Sequence, residues 1–206
     1  MKYHEAFPLH DAIENGNIEK LMELIKENKF DINICDSLFT TPLQTACWKN
    51  QDEMCVLLLE HGANVHKFNT FYPIHIAVLS CSTNICKILL DYGANINSLD
   101  KYYDATPLFL AVQQGFNDVA LFLLQHGADP NLCANYYPNS PLVSAIINEN
   151  IKLLSLLIDY GADYKNKIEV KENQFETPLE IAIKTKNKDI ILLLNKFLIR
   201  DFLLFI

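Results

Sequence analysis

The sequence predicts an all-α repeat protein in which each repeat contributes one antiparallel helix pair. Three observations carry that prediction. Six prolines (Pro8, Pro42, Pro73, Pro107, Pro141, Pro178) open similar blocks that read FPLHDA, TPLQTA, YPIHIA, TPLFLA, SPLVSA and TPLEIA, at spacings of 34, 31, 34, 34 and 37 residues. Gly62, Gly93, Gly127 and Gly161 each lie 20 residues after their proline, whereas the stretch from glycine to the next proline takes 11, 14, 14 and 17 residues. A packed unit admits no insertion and a surface loop does, so the constant segment is the helix pair and the variable one is a loop. Breakers are otherwise scarce, with 6 glycines and 8 prolines in 206 residues, and half the residues are apolar, which is enough to fold.

Each element of the repeat follows from local chemistry. Thr41, Thr106, Ser140 and Thr177 are suited to cap a helix N-terminus, and the proline after each fits the first turn. Ala46, Ala77, Ala111 and Ala145, four residues after the proline, let helices approach closely. A short polar turn follows, as in Asn15-Gly16-Asn17 and Gln114-Gly115. A second apolar run comes next, as in Val56–Leu59, Ile88–Leu90, Leu121–Leu124 and Leu156–Ile158. The late glycine suits a left-handed C-terminal cap, and Asn28 takes that place in the first block.

These blocks resemble the ankyrin repeat, with its TPLHxA opening and its GADxN close, here GANVH, GANIN, GADPN and GADYK. The resemblance covers about residues 5–196 and implies a right-handed solenoid of antiparallel helix pairs, with β-hairpin or loop fingers projecting between repeats. A single domain over 1–206 is expected, with repeats at about 5–36, 37–67, 68–101, 102–135, 136–172 and 173–196. The first repeat is polar on its outer helix (Glu19, Lys20, Glu23, Lys26, Glu27), as a capping repeat should be. The last has no closing glycine and runs on into an apolar tail, 197–206. That tail either continues the last helix and folds back as a cap or serves as a docking element, with self-association through Phe197–Ile206.

Composition narrows the function. The net charge is −8 and Arg200 is the single arginine, which argues against nucleic acid and against anionic membranes. No uncharged apolar run reaches 18 residues, so no membrane span is expected. The cysteines (Cys35, Cys47, Cys55, Cys81, Cys86, Cys133) form no CxxC pair and follow no apolar leader, so they read as reduced thiols of a cytoplasmic protein. No nucleophile elbow, phosphate-binding glycine loop or HExxH is present. The expectation is no catalytic residue, no cofactor and no metal. His10 and His75 occupy the repeat's own histidine position and read as loop-bracing hydrogen-bond donors; His61 and His126 fall at helix ends.

The binding surface is read from the aromatics, 22 in all. The loops that the resemblance makes fingers carry Phe39, Phe68, Phe71, Tyr72, Tyr102, Tyr103, Tyr136, Tyr137 and Phe175. Stacked repeats would set them in a row about 10 Å apart. They form either a binding ridge or rings that pack on each other and on the finger backbone. Trp48, Leu79, Gln113 and Ile147 share one position near the end of the first helix, which in this family looks into the concave groove; Trp48 alternatively tilts into the core. Phe39, Trp48, Phe68, Phe71, Tyr72, Leu79, Tyr102, Tyr103, Gln113, Tyr136, Tyr137 and Ile147 are therefore the partner-binding candidates. The resemblance also marks Asn97 and Asn131 as hydroxylation candidates, each with a leucine upstream. A non-enzymatic protein-interaction module is expected: an adapter, scaffold or inhibitor. Alternatives are a pathogen- or virus-encoded factor that engages a host protein in the host cytosol, and a ubiquitin-ligase substrate adapter with a divergent C-terminal box.

Overall fold

A threonine or serine followed by proline starts four of the helices, because the hydroxyl accepts the third backbone N–H while proline has no N–H to satisfy. A computed structural model describes residues 7–66, 71–132, 140–171 and 174–204. The hydroxyls of Thr41, Thr106, Ser140 and Thr177 accept from the N–H groups of Gln44, Phe109, Val143 and Glu180. Gln44 and Glu180 return the bond to the backbone N–H of Thr41 and Thr177, closing reciprocal capping boxes. The helices opened this way are α3 (Pro42–Trp48), α7 (Pro107–Gln113), α9 (Pro141–Ile147) and α11 (Pro178–Thr185). α1 (Pro8–Glu14) and α5 (Pro73–Leu79) start after Phe7 and Tyr72 with no side-chain cap.

These helices are seven or eight residues long, too short to persist alone, so each depends on its partner. The partners are α2 (Ile18–Glu27), α4 (Asp52–Glu60), α6 (Thr83–Asp91), α8 (Asn117–Gln125), α10 (Ile151–Asp159) and α12 (Lys188–Leu204). The reversal between the two passes through a left-handed residue at one fixed place: Gly16, Asn50, Cys81, Gly115, Glu149 and Lys186 have φ of 65, 55, 57, 73, 53 and 61°. The closing glycines Gly62, Gly93, Gly127 and Gly161 have φ of 86–91°, and Asn28 stands in for them at φ 51°.

The helices group into two compact units, Met1–Lys101 and Tyr102–Ile206. In the first, α1, α3 and α5 pack in sequence, as do α2, α4 and α6. Leu9, Leu43 and Ile74 follow the prolines inward, and Leu21, Leu58, Ile85 and Leu89 meet them from the second helices, all fully buried. Each such side chain contributes about 1.5–3 kcal/mol. Polar bonds tie the repeats in register: the Nε2 of His10 donates to the Thr40 carbonyl at 2.9 Å, and Gln44, at the same repeat position, donates to the Phe71 carbonyl at 2.7 Å. The Asn33 amide spans the next repeat, donating to the Gly62 carbonyl and accepting from the Asn64 N–H.

The second unit repeats the scheme with α7, α9 and α11 in one row and α8, α10 and α12 in the other. Leu108, Leu142, Leu123, Leu153 and Leu157 fill its core. Asn131 does what Asn33 does, donating to the Gly161 carbonyl at 3.0 Å and accepting from the Asp163 N–H at 2.8 Å. One finger is a two-stranded antiparallel hairpin, β1 (Ile168–Lys171) with β2 (Gln174–Glu176), which leads into α11. α12 runs without a break past residue 196. Its inner face buries Ile190, Leu194 and Phe197, the last against the Tyr164 ring at 5.8 Å. Asp201 is held by the Tyr164 hydroxyl and by the Lys165 ammonium. Among the described residues, no helix is long and apolar enough to cross a membrane.

Candidate interaction surface

The first finger is a turn built on one carboxylate. Asp36 accepts from the N–H groups of Leu38 and Thr40, at 2.9 and 2.8 Å, and from the Thr40 hydroxyl at 2.9 Å, while its own N–H donates to the Thr40 carbonyl. The turn leaves Phe39 at φ 62° and 70% exposed, beside an exposed Leu38. A phenylalanine with positive φ is held against its own preference, and the Asp36 bonds hold it there. The next finger candidates differ. Phe71 and Tyr72 are half-buried and close on the buried His75, with ring centroids 6.1 and 5.8 Å away.

Trp48 ends α3 and is 60% exposed, so it does not tilt into the core. Glu14, at the same place on α1, pairs with Lys49 at 2.5 Å. Leu79, at that place on α5, is half-buried. Ser80 next to it donates to the Cys47 carbonyl, and Asn50 donates back to the Ser80 carbonyl, so the ends of α3 and α5 are fixed together.

In the second unit Tyr102 and Tyr103 are 60% and 58% exposed, with ring centroids 6.4 Å apart and planes at 54°. Gln113 and Ile147 end α7 and α9 and are exposed, and the Asn148 amide donates to the Gln113 carbonyl. Phe175 stands exposed on β2. Phe68, Tyr136 and Tyr137 lie outside the described residues, as does Cys133.

Asn97 is half-buried, whereas Asn131 is exposed with both ends of its amide tied to the next repeat. No cluster of three or more His, Cys, Asp or Glu suited to a metal occurs among the described residues. The thiols of Cys47 and Cys55 lie 3.9 Å apart in the core. Burial pushes the Cys47 thiol well up and the Cys86 thiol to about 12. His61 and His126 each direct Nδ1 to the carbonyl four residues back at 2.8 Å.

Exposed apolar side chains that sequence reasoning missed include Leu38, Ile183 and Leu192. Ile183 carries no distinguishing signal, because Ile13, Cys47, Val78, Val112 and Ile146 at the same repeat position are all fully buried. The tail divides: Phe197 turns inward, while Ile199, Phe202 and Leu203 face out.

A family model described as ankyrin repeats (3 copies) matches residues 4–69, 66–134 and 108–199. A stretch of 77 residues is 36% identical to transient receptor potential cation channel subfamily A member 1 of Homo sapiens, covering 36% of this chain and 7% of that protein. Ankyrin repeat domain-containing protein 7 of Homo sapiens is 35% identical over 52 residues, 25% of this chain and 20% of that protein. The matches therefore span only a small part of these relatives. The ankyrin repeat domain of Bcl-3, described as a unique member of the IkappaB protein family, superposes with a TM-score of 0.80 over 94% of this chain and 85% of that one. At 24% identity the likeness is one of fold.

Proposed function

We propose a protein-binding, non-enzymatic role for this chain, which belongs to the ankyrin repeat family, whose repeats are in general protein-interaction modules. The chain acts as an adapter, scaffold or inhibitor that grips a protein partner with its aromatic finger loops and the concave ends of its first helices. The observation that carries this reading is the set of large side chains that leave the core while their backbone is held: Phe39 on the Asp36 turn, Trp48 at the end of α3, and the Tyr102–Tyr103 pair. Tyrosine and tryptophan bury much area for little lost rotamer freedom, which is why they dominate binding energy at interfaces. Phe71 and Tyr72 serve mainly to support the loop through His75, and Leu79, Gln113 and Ile147 complete the contact surface. An adapter for a ubiquitin ligase and a pathogen- or virus-encoded factor acting in host cytosol are narrower forms of the same role, and the cytosol is the proposed compartment.

The test is affinity capture with the chain as bait. Tyr102→Ala with Tyr103→Ala, and separately Trp48→Ala, reduce recovery of the partner at least tenfold while circular dichroism and the melting midpoint stay as in the wild type. Unchanged recovery with all three substitutions removes the proposed surface. Hydroxylation of Asn131 is a further proposal, favoured over Asn97 by exposure; an intact mass from a eukaryotic host with no added oxygen eliminates it.

A further inference from the structure

α12 is apolar on two sides, and its own fold uses only one. The inner side buries Ile190, Leu194 and Phe197. The outer side presents Leu192, Lys196, Ile199 and Leu203, all exposed, at the i, i+4, i+7, i+11 spacing that forms one stripe along a helix. Arg200 flanks that stripe with its guanidinium over the Phe197 ring at 4.7 Å. Asp201 is held by Tyr164 and Lys165 and also pairs with Arg200 at 3.6 Å, so one carboxylate stands against Lys165, Lys196 and Arg200 and the stripe's C-terminal half stays net basic. No element among the described residues covers it.

The first unit carries a matching surface. Between α2 and α4 runs an open groove whose floor is Ile18, Met22, Val56 and Leu57. Its rim is acidic throughout: Asp52, Glu53 and Glu60. Glu53 and Glu60 have no cationic partner among the described residues, while Asp52 only accepts a long bond from Asn84. The corresponding groove between α8 and α10 has its acids offset by Lys152. The acidic apolar groove and the basic apolar stripe are thus complementary in both charge and polarity.

We propose that the outer stripe of α12 docks into the α2/α4 groove of a second copy of this chain. The two surfaces differ, so the contact is head-to-tail, and the assembly keeps one free groove at one end and one free stripe at the other. The apolar floor takes Leu192, Ile199 and Leu203, and the acidic rim takes Lys196 and Arg200. The inference stands apart from the binding role proposed above. The finger tyrosines take no part in it.

Light scattering on the full chain across a concentration series tests this. The wild type gains mass with concentration, and salt near 0.5 M weakens the gain, because exposed charge pairs are screened. Glu53→Lys with Glu60→Lys repels the basic stripe, and Lys196→Glu with Arg200→Glu repels the acidic groove. Each variant alone stays monomeric, with apparent association weakened about tenfold or more. An equimolar mixture of the two associates again, which a misfolded variant would not do. The Tyr102→Ala, Tyr103→Ala chain associates as the wild type, so a failure of the finger reading leaves this contact standing, and the reverse. A wild type that is monomeric throughout overturns the proposal. So does a groove variant that associates like the wild type, which points to tail-to-tail pairing, and so does a mixture that stays monomeric.

Discussion

Phe39 occupies a backbone conformation that a phenylalanine avoids, and the reason lies in its neighbours. The finger turn needs a left-handed residue three places before the proline; Asp104, at φ 49°, fills the same place before Pro107 with a residue type that tolerates it. Phe39→Asn should therefore stabilise the chain by about 1 kcal/mol, read as a higher denaturant midpoint at unchanged slope, while weakening partner capture. A loss of stability would mean that the ring holds the finger together. Cysteine reactivity follows burial in the same way. Cys81 is exposed in the α5–α6 turn, whereas Cys47, Cys55 and Cys86 lie in the core with the Cys86 thiol pushed up to about 12. A thiol reagent at neutral pH should label Cys81 in the folded protein and the other three only on unfolding. Fast native labelling of Cys47 contradicts this.

Among the elements, α11 depends on its cap, because the Thr177–Glu180 box starts a helix of only eight residues. Thr177→Ala should cost about 1 kcal/mol. α12 is anchored at its far end by Asp201. The Lys165 ammonium and the Tyr164 hydroxyl hold that carboxyl below its ordinary value. A carboxylate whose folded-state pKa is depressed stabilises above its unfolded value, about 3.9, and that contribution is lost as pH falls through the depressed value. Amide exchange over residues 197–203, corrected for intrinsic rates and compared with α10, should accelerate as the pH falls through that depressed value. Equal protection of both helices throughout an acid titration would show that the anchor is unimportant. The start of each first helix was readable from its proline, and four of the six also from the capping Thr or Ser before it. The left-handed turns at Cys81, Glu149 and Lys186 were not, because the reversal of a packed helix pair sets φ there whatever the residue.

At the scale of the molecule, the six proline blocks sufficed for the fold, since each repeat reuses the same contacts and periodicity exposes them. Exposure over the proposed surface was half legible. Phe39, Trp48, Tyr102 and Tyr103 stand exposed where the repeat pattern puts them. Phe71 and Tyr72 do not, because a buried His75 draws their rings inward. The exposed Ile183 was invisible, since the same position is core in the five earlier repeats. Stability and binding should separate accordingly: Leu108→Ala costs about 2–5 kcal/mol, whereas Trp48→Ala stays within about 0.5 kcal/mol. The claim that the exposed finger and helix-end rings are the contact surface is tested most directly by site-specific photo-crosslinking. A photoreactive residue at position 39, 48 or 103 should give adducts to one and the same partner, and none when placed at Tyr92 or Tyr160, which are exposed at the ends of α6 and α10. Adducts at Tyr92 and Tyr160 with none at 39, 48 and 103 would contradict it.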